Sequence, residues 1–305
     1  MKTHHDILGL GCAAVDELIY VPAYPPADAK TRVLRRERHC GGLTATALVA
    51  AARLGAQCAY AGVLGGDDAS QFVLNSLRRE GIDVSRAVCS AAAKPIHSVI
   101  VVDESRRTRN VFFDVENVVG ADARLPAKAF IESARVLFVD NFGLPGMIRA
   151  ARIARAAGIP VVADFESQDA PRFPQLLRLV DHLILSESFA LKLSGARDPA
   201  AAAVKLWRRS RSAVVVTCGE RGSCFLDGAD QSPQHLPAFK VKAIDTTGCG
   251  DVFHGAYAAA LARGMPLLDR IRFASAAAAL KATQHGGQAG IPTLTAVNTF
   301  LKQHP

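Results

Sequence analysis

Asp251 stands between a Gly248-Cys249-Gly250 loop and an Ala-rich run, VFHGAYAAA, that has the composition of a helix. Glycines at 248 and 250 permit positive φ and close backbone approach. The amides from Gly248 to Asp251 can therefore converge on an anion at a helix N-terminus, where the dipole also favours negative charge. A phosphate suits such a place. Amides that neutralise developing charge, beside a carboxylate able to take a proton from a hydroxyl, are two parts of phosphoryl transfer to an alcohol. The plainer reading of an aspartate in a first helical turn is a cap or dipole partner. No GxxxxGK[ST] pattern occurs, so the loop is not a Walker A motif.

Other residues with chemical potential fall at the ends of apolar runs. Asp164 and Glu166 close IPVVADFES, and Ser186 and Glu187 close HLILSES. Magnesium prefers oxygen ligands and keeps much of its water, so Asp164, Glu166 and Glu187 are candidates to hold it through water; each also suits a cap or surface charge. Gly9-Leu10-Gly11-Cys12-Ala13-Ala14 is formally GxGxxA, which raises the alternative of a NAD-dependent Rossmann oxidoreductase. That fingerprint requires a helix next. The adjoining run, VDELIYVPAYPP, is β-branched and aromatic and then closed by prolines, so it reads as a second strand. Nine histidines show no HxH or HExxH pairing, and seven cysteines show no CxxC spacing, which argues against a zinc site or disulfide scaffold.

The elements that must position these groups are legible as patterns. A short apolar segment at Ala243–Asp245 reads as a strand before the glycine loop. LTATALVAAARLG reads as a helix ending at Gly55, while 96–103 and 110–114 read as strands around the turn ESRRTR. From about Ala134, continuous apolar strands alternate with helices, which argues for a parallel sheet covered on both faces. In such sheets ligands bind beyond the strand C-termini.

The segment DTTGCGDVFHGA, Asp245 to Ala256, resembles the C-terminal signature of the ribokinase-like, or PfkB, sugar kinases. The resemblance extends over nearly the whole chain and is nearest the ketohexokinase and sulfosugar kinase-like branch. It implies an α/β, ribokinase-like three-layer fold with a mainly parallel central sheet and a small β-sheet lid. Residues 1–305 would form a single kinase domain, with lid strands near 16–39 and 96–114. The resemblance makes Asp251 the general base and Gly248, Cys249 and Gly250 the anion hole. It assigns Asp16, Asp28, Gly41, Gly42 and Thr46 to the sugar; the usual asparagine is replaced by Thr46, which has less reach. Thr217, Gly219 and Gly222, in TCGERG, and Gly287 would meet the nucleotide together with Gly248 and Gly250. Ser186-Glu187-Ser188-Phe189 stands in place of an NxxE motif. Asp245 would help coordinate a monovalent cation. The implied activity is ATP-dependent phosphorylation of a primary hydroxyl of a furanose-type sugar, a ketose favoured, with Mg²⁺ and potentially K⁺. A sugar or nucleotide sensor that kept the fold is the nonenzymatic alternative, motivated by Thr46 and the missing NxxE.

Composition sets the outer bounds. At 305 residues and 50% hydrophobic, the chain can bury a substantial core. The N-terminal residues lack a signal peptide's apolar region, and no stretch reaches the roughly 20 apolar residues of a membrane span. The expectation is a cytoplasmic protein with no membrane partner. The net charge of +8 is spread over clusters at Arg35, Arg36 and Arg38, at Arg106, Arg107 and Arg109, and at Arg208, Arg209 and Arg211. These lack interleaved aromatics and read as solvated surface, not as a specific nucleic-acid site. Edges of the lid strands would be a liability unless covered, so a homodimer is expected.

Overall fold

Five apolar runs, HDILGL, ARVLFV, VVAD, HLILS and AVVVT, offer no face to water, and each forms a largely buried parallel strand. The computed structural model describes residues 5–106, 108–227 and 232–304. Arg107 of the second basic cluster lies outside the described residues. The chain opens with β1 (His5–Leu10), β2 (Ala14–Val21), β3 (Arg35–Gly41) and α1 (Leu43–Arg53). Next come β4 (Cys58–Tyr60), β5 (Val63–Leu64), α2 (Asp68–Arg79), β6 (Val88–Cys89), β7 (Ile96–Asp103) and β8 (Thr108–Asp114). Alternation then sets in with α3 (Lys128–Ile131), β9 (Ala134–Val139), α4 (Leu144–Ala156), β10 (Val161–Asp164), α5 (Phe173–Leu177) and β11 (His182–Ser186). It continues with α6 (Glu187–Ser194), α7 (Pro199–Leu206), β12 (Ala213–Thr217), β13 (Ser223–Asp227) and β14 (Gln234–Leu236). Three helices close the chain, α8 (Cys249–Ala262), α9 (Leu267–Ala282) and α10 (Leu294–Gln303).

The large sheet has the order β14-β13-β12-β11-β10-β9-β1-β4. Every neighbouring pair from β12 to β4 is parallel, while β13 and β14 add an antiparallel edge. Side chains alternate across it. Ile7, Val136, Ile184 and Val215 pack with α1, α8 and α9 on one face. Leu8, Leu137, Leu183 and Val216 pack with α4, α6 and α7 on the other, giving three layers. Gly255 permits a close crossing of α8 and α1. A Cβ there would stand 2.0 Å from the Ala47 carbonyl oxygen, so α8 can lie this near α1 only with a hydrogen in that place. That crossing sets the first turn of α1 beside the first turn of α8.

A second sheet, β3-β2-β7-β8, leaves the first at the C-terminal end of β1, which runs through Gly11, Cys12 and Ala13 into β2. Its β2–β3 and β7–β8 pairs are antiparallel and its β2–β7 pair is parallel. These are the strands expected near 16–39 and 96–114, although β3 begins only at Arg35. One expectation needs correction. No strand covers Ala243–Asp245, because Ile244 and Asp245 donate their N–H groups to the Ala282 carbonyl at 2.7 and 3.1 Å, so the end of α9 satisfies them instead of a sheet. After Gly9 and Gly11 the chain enters β2 and not a helix, so the dinucleotide fingerprint lacks the helix N-terminus it needs there. Among the described residues no helix is long and apolar enough to cross a membrane.

Candidate active site

Gly248 adopts φ 75°, the left-handed region, and turns the chain into α8. Cys249 donates its N–H back to the Thr246 carbonyl at 3.2 Å, so its amide is used inside the turn. Thr247 donates to Asp245 at 2.8 Å. The Gly248, Gly250 and Asp251 amides have no acceptor among the described residues, and they lie at the positive end of a 14-residue helix. Of the expected anion hole, positions 248, 250 and 251 thus keep their donors free, and Cys249 serves the turn.

Asp251 lines a cleft of about 930 Å³ whose walls are the lid strands, residues 242–248 and 285–288, and the starts of α1 and α8. Burial raises its pKa well above the ordinary carboxylate range; the charges of Asp164 and Glu166 raise it further, and His254 opposes them. A carboxylate so destabilised is a better proton acceptor once it is ionised. His254 is buried in the wall of α8. Its Nδ1 lies 2.8 Å from the Gly250 carbonyl and 3.3 Å from Asp164, and its Nε2 lies 3.0 Å from the Ile184 carbonyl. It pins the first turn of α8 to the end of β11.

The same cleft is lined by Asp16, Gly41, Gly42 and Thr46. A Cβ on Gly248 would stand 3.7 Å from the Asp251 carboxylate, 3.8 Å from Thr46 and 3.6 Å from the Gly287 backbone, so four expected site positions meet at one point. Asp16 reaches the cleft from β2. Burial raises its pKa, and the Ser98 hydroxyl, followed by His39 and His97, pulls it back.

Gln288 was not legible as a site residue. Its carboxamide donates to the Thr46 hydroxyl at 3.2 Å, and Arg53 clamps its backbone carbonyl at 2.7 Å while also pairing with Glu80. A carboxamide beside Thr46 supplies the hydrogen-bonding reach that threonine lacks. If the cleft holds the sugar that the sequence resemblance implies, Gln288→Ala raises its KM by up to about tenfold, the worth of one neutral hydrogen bond. Steady-state kinetics at varied sugar and fixed ATP check this; an unchanged KM would remove Gln288 from the sugar site.

Other expected residues lie apart. Asp28 sits on an exposed loop with φ 59° and does not line the cleft. Thr217, Gly219 and Gly222 form the turn from β12 to β13, with Gly219 and Gly222 both at positive φ, and they too lie outside this cleft. Glu187 opens α6 and is paired with Arg221. Ser186 caps the same helix by accepting the Phe189 N–H at 3.4 Å.

Asp164 is buried at the end of β10. Burial, then the charges of Glu166 and Asp140, push its pKa well up. The mutual repulsion of Asp164, Glu166 and Asp251 marks a surplus of negative charge that a divalent cation would relieve, and the donors are the oxygens magnesium prefers. Among the described residues no three His, Cys, Asp or Glu side chains are grouped to hold a metal ion.

Asp245 joins two loops, accepting the Thr247 N–H at 2.8 Å and the Gly286 N–H at 2.9 Å. Burial pushes its pKa up, but those amides and the Lys281 ammonium outweigh it and the net shift is downward. Lys281 donates to the Asp245 carbonyl oxygen at 2.8 Å, and Arg109 stands 3.8 Å from the Asp245 carboxylate.

Comparison with known proteins agrees with this geometry. The profile of the pfkB family carbohydrate kinases matches residues 10–294. The chain is 30% identical over 299 residues to the ribokinase of Staphylococcus aureus (strain COL), covering 95% of this chain and 97% of that one. It is 28% identical over 308 residues to the ribokinase of Haemophilus influenzae, covering 96% and 97%. The ribokinase of Arabidopsis thaliana, at 21% identity, shares the fold with a TM-score of 0.87 over 99% of both chains.

Proposed function

The chain belongs to the pfkB family of carbohydrate kinases and is an ATP-dependent sugar kinase, and from that premise we propose that it phosphorylates a primary hydroxyl of a furanose-type sugar. A ketose is the favoured acceptor by the sequence features at Asp16, Asp28 and Thr46 and in the closing DVFHGA and GGQAGIP segments. D-Ribose, bound with ATP in the Arabidopsis ribokinase, is the second candidate. We read residues 1–305 as one kinase domain. The observation that carries the reading is the meeting of Gly248, Asp251, Thr46 and Gly287 at one point of the cleft.

In this reading Asp16, Gly41, Gly42 and Thr46 hold the sugar hydroxyls. Asp251 accepts the proton of the attacking hydroxyl as the phosphoryl group passes from ATP to that oxygen and ADP leaves. The free amides at 248, 250 and 251 face the transferred group and neutralise the charge that builds on it. Gly287 and the turn holding Thr217, Gly219 and Gly222 lie along the path of the nucleotide. Magnesium, held through water by Asp164 and Glu166 with Glu187 as a further candidate, would supply charge neutralisation on the phosphates. The lid excludes water, which favours transfer to the sugar over hydrolysis.

ADP release from ATP and MgCl₂ with D-ribose, D-fructose and a panel of other sugars tests the proposal. Sugar-dependent ADP formation is expected. Binding of sugar and ATP with no ADP from any of them would favour the sensor reading instead.

All seven cysteines are free thiols, which suits the reducing cytoplasm in which we place the enzyme. Strand β8 is the outer lid strand and exposes Val111, Phe112 and Phe113. A second lid covering that edge would form a homodimer. Light scattering at micromolar concentration should report twice the chain mass, and Phe113→Lys should shift it toward the monomer; an active wild-type monomer would remove the dimer.

A further inference from the structure

A monovalent cation at Asp245 would need the carboxylate and the neighbouring carbonyl oxygens as ligands. The residues present do not fit a bound ion there. Lys281, in the last turn of α9, has no exposed surface, and its ammonium occupies that ground, 2.8 Å from the Asp245 carbonyl oxygen and 3.9 Å from the carboxylate. Arg109, reaching down from the lid, brings a second positive charge to 3.8 Å from the same carboxylate. Both carboxylate oxygens already accept backbone amides, from Thr247 and Gly286. A further cation in this place would face like charge from two side chains and compete for oxygens that are engaged.

The position of Lys281 is fixed by the backbone around it. The Ala282 carbonyl, one residue on, takes the N–H groups of both Ile244 and Asp245, so the end of α9 and the approach to the glycine loop are locked together. A lysine fully buried at this junction is tolerable only because its charge is met by a carboxylate and a carbonyl. Cys249, at the start of α8, reaches the same helix, its thiol lying 3.6 Å from the Ala278 carbonyl. The ammonium thus lies against Asp245, at the start of the turn that carries the free amides, and Lys281 itself does not line the cleft.

We infer that Lys281 is a built-in monovalent cation. Its ammonium neutralises Asp245, fixes the 245–251 loop in the shape that aims the Gly248, Gly250 and Asp251 amides, and leaves turnover with no need of an added alkali cation. Lys281 is a positioning residue, since it has no exposed surface and does not line the cleft. The inference rests on the kinase reading of that loop.

The test compares the full chain in potassium chloride and in tetramethylammonium chloride at matched ionic strength, reading melting temperature and kcat. An ion that binds the folded protein raises its melting temperature saturably. For the wild type the melting temperatures should coincide and kcat should agree within about twofold between the salts. Lys281→Met keeps the apolar stem without the charge and should lower kcat by roughly 10²-fold through misplacement of the loop. Lys281→Ala opens a space that potassium or ammonium chloride can fill, so either salt should raise its melting temperature and restore part of kcat. A saturable potassium-specific rise in wild-type melting temperature, or a potassium-dependent kcat, would overturn the inference, as would a Lys281→Met enzyme with wild-type kcat in tetramethylammonium chloride. Should neither variant fold, the wild-type comparison decides alone. Failure of the kinase reading would show separately, as absence of ADP with every sugar in both salts.

Discussion

Asp251→Asn is expected to fold, to bind ATP and to lose kcat by about 10²-fold or more, the usual worth of a general base. Asparagine keeps the shape and capping ability of the side chain and removes only its capacity to take a proton. The same change should raise the melting temperature near neutral pH. Burial and the Asp164 and Glu166 charges raise the Asp251 pKa in the folded chain, so the folded state binds more protons than the unfolded state in the window above the ordinary aspartate value. Stability is therefore lost as pH rises through that window, and a neutral side chain removes the penalty. A loss of kcat coupled to a gain in melting temperature separates a catalytic carboxylate from a structural one, whose removal would lower both. Near wild-type kcat in a folded Asn variant would return Asp251 to the role of a helix-start carboxylate.

Gly250→Pro is expected to cut kcat by roughly 10²- to 10³-fold with little change in folding, because it deletes one donor of the anion hole. Gly250 is the second residue of α8, where a proline ring can sit without costing an internal helix bond. The chain already places Pro145 and Pro174 at the same position of α4 and α5. Nothing lies within 4 Å of where a Cβ would stand on Gly250, so the side-chain carbon shared by the Ala and Pro variants has room. Gly250→Ala serves as the control, since it adds the carbon and keeps the N–H. Equal kcat for the Ala and Pro variants, both folded, would show that this amide is not aimed at the transferred group.

What the sequence made legible is what contiguous residues build. The glycine loop, its free amides and the aspartate after it lie within four positions, so their convergence is a matter of local backbone geometry. The parallel sheet was legible for a similar reason, since a strand buried on both faces must be apolar throughout its length. Groups brought together by tertiary folding were not. Gln288 meets Thr46 from 242 positions away, and Lys281 meets Asp245 from 36 positions away. Neither residue type signals a site by itself. The strand expected at Ala243–Asp245 failed because a carbonyl at the end of α9 takes the amides that a sheet would have taken. Asp28 matched by spacing from Asp16, but spacing does not set the path of the proline-containing loop after β2, which carries Asp28 to the surface. The spacing also does not show that the Cys249 amide is bonded to the Thr246 carbonyl inside the turn.

In the proposed reaction Asp251 deprotonates a primary sugar hydroxyl for attack on ATP. Proton-coupled ³¹P NMR of the product formed from the best sugar of the panel tests it most directly. A phosphate ester on a CH₂ carbon is split by two protons into a triplet, and one on a secondary carbon by a single proton into a doublet. A triplet is expected with the wild type, and its near absence with Asp251→Asn under the same conditions. A doublet, inorganic phosphate alone, or an equally strong ester signal from the Asn variant would contradict it.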